Sequence, residues 1–365
     1  MTKPPTLTFK LNLGFLLILI LGAACFPGCA WWQRLAQKSS TQAKPIKIGF
    51  SMATLQEERW RRDRDYFAER VKQLGGELIA QNANNDHQEQ MQQVEYLLNQ
   101  KIDVLVIVPH DLNQAAAAVQ MAKRAGVKVI SYDRLIRNAN LDLYISFDVV
   151  KVGEFMAEYL VNRIPSGNYV IINGAPTDNN GYLLNQGYKN VLNPYIQRRQ
   201  IKVIFEAWAE DWRPEQAYQY IQNLLTQGKR FNAVIAANDS MASAVIEALS
   251  EWRLAGKILV VGHDADLSGC QRIVEQTQLM TVYKPIRKLA YRAADMAILL
   301  AKRQEIKTNH APVFNGKHFV PAEIISPIPI DQDNMELIIK DGFHSQKEIY
   351  LNIPKEKWPR QAGRP

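Results

Sequence analysis

The chain has 365 residues, of which 47% are hydrophobic, and its 44 basic and 36 acidic residues give a formal net charge of +8. This is more than one hydrophobic core usually holds, so we expect more than one lobe. The basic residues are interleaved with acidic ones, which disfavours nucleic acid as a partner, and Cys270 is the one cysteine beyond the amino-terminal segment, which excludes an intradomain disulfide.

The first 45 residues have the pattern of an export signal. Lys3 and Lys10 precede an uncharged, largely apolar run over 11–32. Small residues before Cys25 resemble the cleavage site of bacterial lipoproteins, with Leu21 one position early, so we predict a lipid anchor at Cys25. Cys29 is a second candidate, and an uncleaved membrane anchor is a third possibility. In each case the remainder of the chain faces outward.

From residue 46 onward, short runs of β-branched residues alternate with longer amphipathic stretches. Strands are predicted at 46–52, 77–81, 104–108, 127–132, 144–147, 169–172, 202–207, 233–236, 258–261 and 280–283. Helices are predicted at 57–74, 88–99, 113–125, 152–163, 183–192, 214–226, 241–251, 267–275 and 286–302. This alternation indicates an α/β fold with parallel sheets and right-handed crossovers. The pattern restarts after Asp148, which predicts two similar lobes.

Three of the predicted strands end on aspartate, at Asp133, Asp239 and Asp264. In open α/β sheets the carboxyl ends of the strands form the ligand-binding edge. Arg134 and Asn238 stand beside two of these aspartates. Carboxylates, an amide and a guanidinium at such an edge indicate a polar ligand rich in hydroxyl groups.

Catalytic and metal-binding signatures are poor. Ser51 follows a strand as in a nucleophile elbow, but the second glycine of that motif is missing. Asp264 and Asp266 lack further ligands at metal-binding spacing, and Asp266 is better explained as a helix N-cap. The segment 331–334 begins like a calcium loop but lacks its glycine and its final glutamate. We therefore predict no enzymatic activity, no metal and no cofactor.

Two tryptophans favour a sugar ligand. Trp60 lies shortly after the first strand and Trp208 ends the strand at 202–207. Since sugars have weakly apolar ring faces, aromatic rings from two lobes would sandwich one sugar between them.

Several motifs resemble bacterial xylose-binding proteins, which belong to the ribose/galactose-type periplasmic binding proteins that feed ABC sugar importers. The matching motifs are LQEERWRRDRD (55–65), VLVIVP (104–109), YDR (132–134), YISFD (144–148), DNN (178–180), ND (238–239), DADL (264–267), TVYKP (281–285) and IIKDGFH (338–344). The resemblance runs from about residue 45 to residue 344.

The resemblance implies two Rossmann-like lobes (the type I periplasmic binding protein fold) joined by three crossings, near Asp148, near Lys284 and after about Ala311. The first lobe is expected at 46–148 plus 284–311 and the second at 149–283 plus 312–344, followed by a tail at 345–365. The implied sugar contacts are Arg59, Trp60, Asp133, Arg134, Asp178, Asn180, Trp208, Asn238, Asp264 and Lys284. With Asn238 as the contact, Asp239 is expected to be a helix cap.

Gly181-Tyr182 and His263 depart from the family pattern, so the ligand is expected to be a monosaccharide related to D-xylose, with D-xylose first. The expected function is delivery of this sugar, after hinge closure, to the membrane permease of an importer. Two alternatives are a sensor that presents its sugar-bound state to a membrane histidine kinase and an enzyme on the same scaffold.

Overall fold

In the computed structural model, the described part of the chain comprises residue 2 and residues 44–359. The predicted export segment with Cys25 and Cys29 and the last residues of the tail lie outside these ranges. Residues 45–359 belong to one compact unit. None of the described helices combines the length and the apolar character needed to cross a membrane.

Strands and helices alternate along most of the described chain. The strands are β1 (Lys47–Met52), β2 (Glu77–Asn82), β3 (Val104–Val108), β4 (Lys128–Tyr132), β5 (Leu143–Phe147), β6 (Gly167–Asn173), β7 (Ile201–Trp208), β8 (Ala233–Ala236), β9 (Leu259–Val261), β10 (Thr281–Tyr283), β11 (His310–Phe314), β12 (Phe319–Ile325) and β13 (Ile328–Ile330). The helices are α1 (Glu58–Gln73), α2 (His87–Asn99), α3 (Ala116–Arg124), α4 (Val149–Arg163), α5 (Asn179–Gln197), α6 (Pro214–Thr226), α7 (Asp239–Glu251), α8 (Leu267–Val274), α9 (Ile286–Ala301), α10 (Glu336–Lys340) and α11 (Gln346–Ile349). All the predicted strands and helices are confirmed, with ends that differ by up to five residues, as in α5, which was predicted at 183–192.

The first sheet has seven strands in the order β11-β12-β5-β4-β3-β1-β2. All neighbouring pairs are parallel except β11 with β12. Every side chain of β3 is buried, as expected for a central parallel strand covered by helices on both faces. Helices α1 and α9 pack on each other and cover one of these faces.

The second sheet has four parallel strands in the order β7-β6-β8-β9. Helices α4 and α5 pack against each other beside it. Gly153 and Gly187 meet at this crossing, where a Cβ on Gly153 would lie 2.3 Å from the carbonyl oxygen of Leu184. The absence of side chains at these two positions therefore allows the close approach of the helices.

The carboxyl-terminal part of the chain corrects one predicted boundary. We expected 312–344 in the second lobe, but β12 pairs with β5 of the first sheet. The chain leaves that sheet after Ile325, and β13 then pairs with β10 in a separate two-stranded sheet. No strand was predicted beyond residue 302. The register of β11 against β12 shifts between His310 and Val313, where Pro312 removes a backbone donor.

The apolar core lies in three clusters. One surrounds the second sheet and the other two contain the side chains from the faces of the first sheet. Cys270 on α8 is a free, fully buried thiol in one of them.

Candidate functional site

The carboxyl ends of both sheets contribute side chains to one buried cavity. From the first sheet come Glu57, Arg59 and Trp60 after β1, and Asp133 and Arg134 after β4. From the second sheet and β10 come Asp178, Asn180, Trp212, Asn238, His263, Asp264 and Lys284, and Val149, Val152 and Leu184 complete the lining. Nine of the ten residues implied by the resemblance are among them.

Arg59 connects carboxylates from both sides of the cavity. It donates from Nε to Asp63 (3.1 Å) and from Nη2 to Asp133 (2.8 Å), and Nη1 lies 3.8 Å from Asp264. Burial disfavours the charged guanidinium, but Asp133, Asp63 and Asp264 outweigh it and raise the pKa of Arg59. Arg59 is therefore a permanent cation in the floor of the cavity.

Asp133 has a left-handed backbone conformation, with φ of 62°. Its carbonyl oxygen accepts a hydrogen bond from Ser146 (2.6 Å), and its carboxylate accepts from Arg59 and from the amide nitrogen of Asn180 (2.9 Å). Burial acts to raise the pKa of Asp133, but Arg59, Lys284 and Arg134 overcome it and hold the pKa below its usual range. The carboxylate thus stays ionised and bonds across the two halves of the cavity.

A second bridge joins Arg134 to Asp178. Nε of Arg134 lies 2.7 Å from Oδ2 of Asp178, which also accepts from the indole N–H of Trp212 (3.2 Å). Oδ1 of Asp178 accepts from the backbone N–H of Asn180 (2.9 Å), so this carboxylate caps α5. Burial raises the pKa of Asp178, although Arg134 opposes the shift.

Asp264 and Lys284 form the third ionic contact, with 2.6 Å between Nζ and Oδ1. Both are buried. Burial acts to raise the pKa of Asp264, but the cations Lys284 and Arg59 lower it well below its usual range. Desolvation lowers the pKa of His263 to about 3, so its imidazole is neutral.

Two neighbouring residues after β8 have roles that differ from the prediction. Asn238 caps α7 by accepting from the backbone N–H of Met241 (2.9 Å), and it also lines the cavity. Asp239 was expected to be the cap, but it is the first residue of the helix and its side chain points into the protein interior, towards Gln278 and Thr281. Asn238 therefore both caps α7 and lines the cavity, whereas the sequence analysis assigned these two roles to Asp239 and Asn238 separately.

Aromatic rings line the cavity from both sides. The guanidinium carbons of Arg59 and Arg134 lie 4.2 and 5.1 Å from the ring centre of Trp60, which fixes its plane by cation–π contacts. Trp212 approaches His263 edge-on, with 6.2 Å between ring centres. Trp208, which was expected as a sugar contact, is not among the residues that line this cavity.

Trp208 instead packs on Tyr182, with 4.8 Å between ring centres, and stays outside the cavity. After β7 ends, Asp211 and Trp212 take left-handed backbone conformations, with φ of 52° and 57°. This turn directs the ring of Trp212 towards Asp178. The sequence does contain one signal for Trp212, which is that a second tryptophan follows four residues after the tryptophan that ends the strand.

Glu57 is a further lining residue that sequence reasoning did not select. Burial raises its pKa, and Arg134 opposes the shift. Among the described residues no hydrogen-bond partner reaches Oε2 of Glu57 or Oδ1 of Asn180, and both oxygens are buried. Buried polar atoms are nearly always hydrogen-bonded in folded proteins. These two oxygens therefore favour a ligand that supplies hydroxyl donors.

The cavity combines three cations with carboxylates, amides and two indole rings. Burying such charges is costly unless they are paired, and here each of Arg59, Arg134 and Lys284 contacts a carboxylate. The described residues contain no cluster of three or more metal-ligating side chains. The arrangement is suited to a neutral polar molecule that takes part in a network of hydrogen bonds.

Comparison with known proteins assigns the fold family. Residues 48–305 match the family described as "Periplasmic binding protein domain". The chain is 45% identical over 314 residues to the D-xylose-binding periplasmic protein of Haemophilus influenzae, covering 86% of this chain and 94% of that protein. It is 42% identical over 312 residues to the D-xylose-binding periplasmic protein of Escherichia coli K12, covering 85% and 94%.

Solved structures give the same result. An ABC transporter solute-binding protein from Clostridium phytofermentans with bound β-D-glucose is 27% identical with a TM-score of 0.77, covering 83% of this chain and 99% of that one. A carbohydrate transporter solute-binding protein from Chloroflexus aurantiacus with D-glucose is 28% identical with a TM-score of 0.78, covering 84% and 98%. The chain belongs to the periplasmic binding protein family and has its type I fold.

Proposed function

We propose that this protein is the substrate-binding component of an ABC sugar importer and that its ligand is D-xylose. The observation that carries the proposal is the convergence of paired charges, Trp60 and Trp212, and the unpartnered oxygens of Glu57 and Asn180 on one buried cavity. The two relatives named as D-xylose-binding proteins support the choice of sugar.

The charged residues have separate tasks in this proposal. The carboxylates of Asp133 and Asp264, held ionised by their cations, accept hydrogen bonds from sugar hydroxyls. Arg59 and Arg134 donate to hydroxyl oxygens, and charge assistance strengthens such bonds. The faces of Trp60 and Trp212 contact the C–H faces of the ring. The neutral imidazole of His263 both donates and accepts.

Sugar binding is coupled to closure of the two lobes. We place the three crossings at Asp148, at Lys284 and between Ile325 and Ile328. The bonds from Arg134 to Asp178 and from Asn180 to Asp133 join the lobes directly. A sugar that bonds to both sides adds to these contacts and shifts the population towards the closed state, which then docks on the permease.

We propose that the protein is exported and held at the membrane by a lipid on Cys25. The support is the uncharged run at 11–32 with small residues before the cysteine. Metabolic labelling with a fatty acid tests this in cells that express the wild type, Cys25→Ser or Cys29→Ser. Loss of label in Cys25→Ser alone is expected. Label lost only in Cys29→Ser, or absent from the wild type, contradicts the assignment.

Calorimetric titration of the purified mature protein with D-xylose, D-ribose, L-arabinose, D-glucose and D-galactose tests the ligand. D-Xylose is expected to bind most tightly and to raise the melting temperature, because a ligand that binds the folded state stabilises it. If another sugar binds more tightly than D-xylose, that sugar takes the place of D-xylose as the proposed ligand. Failure of all five sugars to bind would reject the proposal. Loss of D-xylose uptake in a strain lacking the gene tests the transport role.

A further inference from the structure

Asp239 lies behind the turn that carries His263 and Asp264. It is the first residue of α7 and its side chain is fully buried. It does not line the cavity. Helix capping does not require it, because the side chain of Asn238 performs that role.

Asp239 holds both ends of the turn. Its backbone N–H donates to the carbonyl oxygen of His263 (2.9 Å). Its carboxylate oxygen Oδ2 accepts from the backbone N–H of Asp266 (3.0 Å) and from Oγ1 of Thr281 (2.7 Å), while Oδ1 accepts from Gln278 (2.7 Å). One residue thus contacts the chain directly before and directly after Asp264 and Ala265.

The turn itself has a backbone that needs support. Asp264 and Ala265 have φ of 105° and 55°, and side-chain-bearing residues adopt such conformations only when the surroundings impose them. The three amides of the turn are all bonded. Asp264 N–H donates to Val282 (3.0 Å), Ala265 N–H donates to Oγ1 of Thr281 (3.1 Å), and Asp266 N–H donates to Asp239.

Tight packing around the carboxylate fixes its position. A Cβ on Gly262 would lie 2.3 Å from Oδ1 of Asp239, and one on Gly269 would lie 2.5 Å from Oδ2. Within residues 44–359 no basic side chain is within ion-pair distance of Asp239, and the nearby Arg272 donates to Ser243 instead. A buried carboxylate without a cation is costly, which argues for a specific task.

We propose that Asp239 is a positioning residue for sugar binding, which acts by holding the backbone turn that presents Asp264 and His263 to the ligand. This rests on the proposed sugar-binding function. In the ionised form of Asp239, both carboxylate oxygens act as acceptors for the three donors that reach it, from Asp266, Thr281 and Gln278. Asparagine at 239 keeps the shape but offers one acceptor oxygen, and the turn then loses one of its anchors.

Two measurements on Asp239→Asn test the proposal. In the sugar-free protein, hydrogen exchange followed by NMR is expected to be at least about tenfold faster at the amide of Asp266 than in the wild type, because the bond that protects it is lost. In titrations, the affinity for D-xylose is expected to fall about ten- to hundredfold, the effect of losing a hydrogen bond to a charged group. Thr281→Val removes the bond to Ala265 and is expected to act in the same direction.

Asn315→Ala is the control for general destabilisation. Asn315 is a buried side chain that fixes a different turn, through bonds to Ile136 and Ala139, and it does not line the cavity. It is expected to lower the melting temperature without changing sugar affinity. A double-mutant cycle then tests whether Asp239 acts on sugar affinity through Asp264. Asp239→Asn is expected to change the affinity of the Asp264→Asn protein for D-xylose less than threefold, since the two residues act through one turn.

Three results overturn the proposal. These are wild-type sugar affinity in Asp239→Asn, an equal loss of affinity in the Asp264→Asn background, and unchanged exchange at Asp266. If the wild type binds no sugar, the proposed function fails, and the exchange measurement still decides whether Asp239 holds the turn. If Asp239→Asn does not fold, Thr281→Val is the variant that decides.

Discussion

Arg134 and Asp178 form an ion pair across the cavity, with 2.7 Å between Nε and Oδ2, and each side chain is at most 6% exposed. The two residues come from different sheets. Each is therefore the main counter-charge of the other in an environment where an isolated charge is expensive.

Replacement of Arg134 by methionine is expected to reduce the free energy of unfolding by about 3–5 kcal/mol, because Asp178 is then buried without its cation. Denaturant unfolding of the sugar-free protein measures this. The double variant Arg134→Met, Asp178→Asn is expected to recover most of the stability but to bind D-xylose poorly. Equal stability of the single and double variants would show that the pair is not coupled.

Trp212 and Trp208 are a matched pair, because Trp208 ends the edge strand β7 of the second sheet, Trp212 follows four residues later, and only Trp212 lines the cavity. Trp212→Ala is expected to weaken D-xylose binding at least about tenfold, since it removes a ring face and the donor to Asp178. Trp208→Ala, which loses its contact with Tyr182, is expected to stay within about threefold of the wild type. Titration calorimetry on both decides, and the reverse order would return Trp208 to the site.

Lys284 sets the pH range over which Asp264 stays ionised. The pKa of Asp264 is held well below its usual range. The bonds made by its charged form are therefore present at neutral and mildly acidic pH, and they are lost only when the pH falls through the lowered pKa. Lys284→Met removes the closest cation and moves the loss to higher pH. Between pH 8 and 5, D-xylose affinity is expected to fall more on acidification in Lys284→Met than in the wild type, because Asp264 stays ionised in the wild type while any change from Asp239 is common to both proteins.

The exposed Lys288 on α9 supplies the control for that experiment. Lys288→Met changes the net charge equally but lies outside the cavity lining, so its affinity profile is expected to follow the wild type. A profile in Lys284→Met that matches the wild type would show that Arg59 alone keeps Asp264 ionised.

The pKa of Asp239 is shifted in the opposite direction to that of Asp264, so the pH dependence of its contribution to stability has the opposite sign. Burial raises its pKa to about 7, with the bonds from Thr281 and Gln278 opposing the shift. Because the folded state then holds a proton that the unfolded state has lost, this group's contribution to stability falls as pH rises from about 4 to about 7. Over that range, the free energy of unfolding of the wild type is expected to fall relative to that of Asp239→Asn.

Chemical unfolding of both proteins at pH 5, 6, 7 and 8 measures this difference. Asp264, Asp266 and Arg272, the charged groups that act on Asp239, are present in both proteins. A difference that is independent of pH would show that Asp239 keeps an ordinary pKa in the folded state.

Much of the fold and part of the site could be predicted, because both follow from local patterns. Alternating apolar runs predict strands and helices, and parallel strands bring their carboxyl ends together. These patterns were sufficient to select five residues that line the cavity: Trp60, Asp133, Arg134, Asn238 and Asp264. Lys284 required the family resemblance, since a lysine beside a proline gives no sign that it will be buried against an aspartate.

The errors have a common physical cause, which is that they depend on backbone turns or distant pairing. Trp212 reaches the cavity through two left-handed residues that no sequence pattern announced. Asp239 faces inward because Gly262 and Gly269 leave room for its carboxylate, a feature visible only in three dimensions. β12 joins a strand more than 170 residues earlier, and its proline hides the strand signal.

Cys270 offers a chemical reporter of the turn behind the site. Its buried Sγ lies 3.6 Å from the carbonyl oxygen of Ala265, the residue next to Asp264. Burial raises the pKa of this thiol well above its usual value, so it resists thiol reagents while the turn stays packed. In mature protein freed of its amino-terminal segment, the labelling rate of this natural thiol therefore times each opening of the turn, with no dye or engineered residue at the binding site.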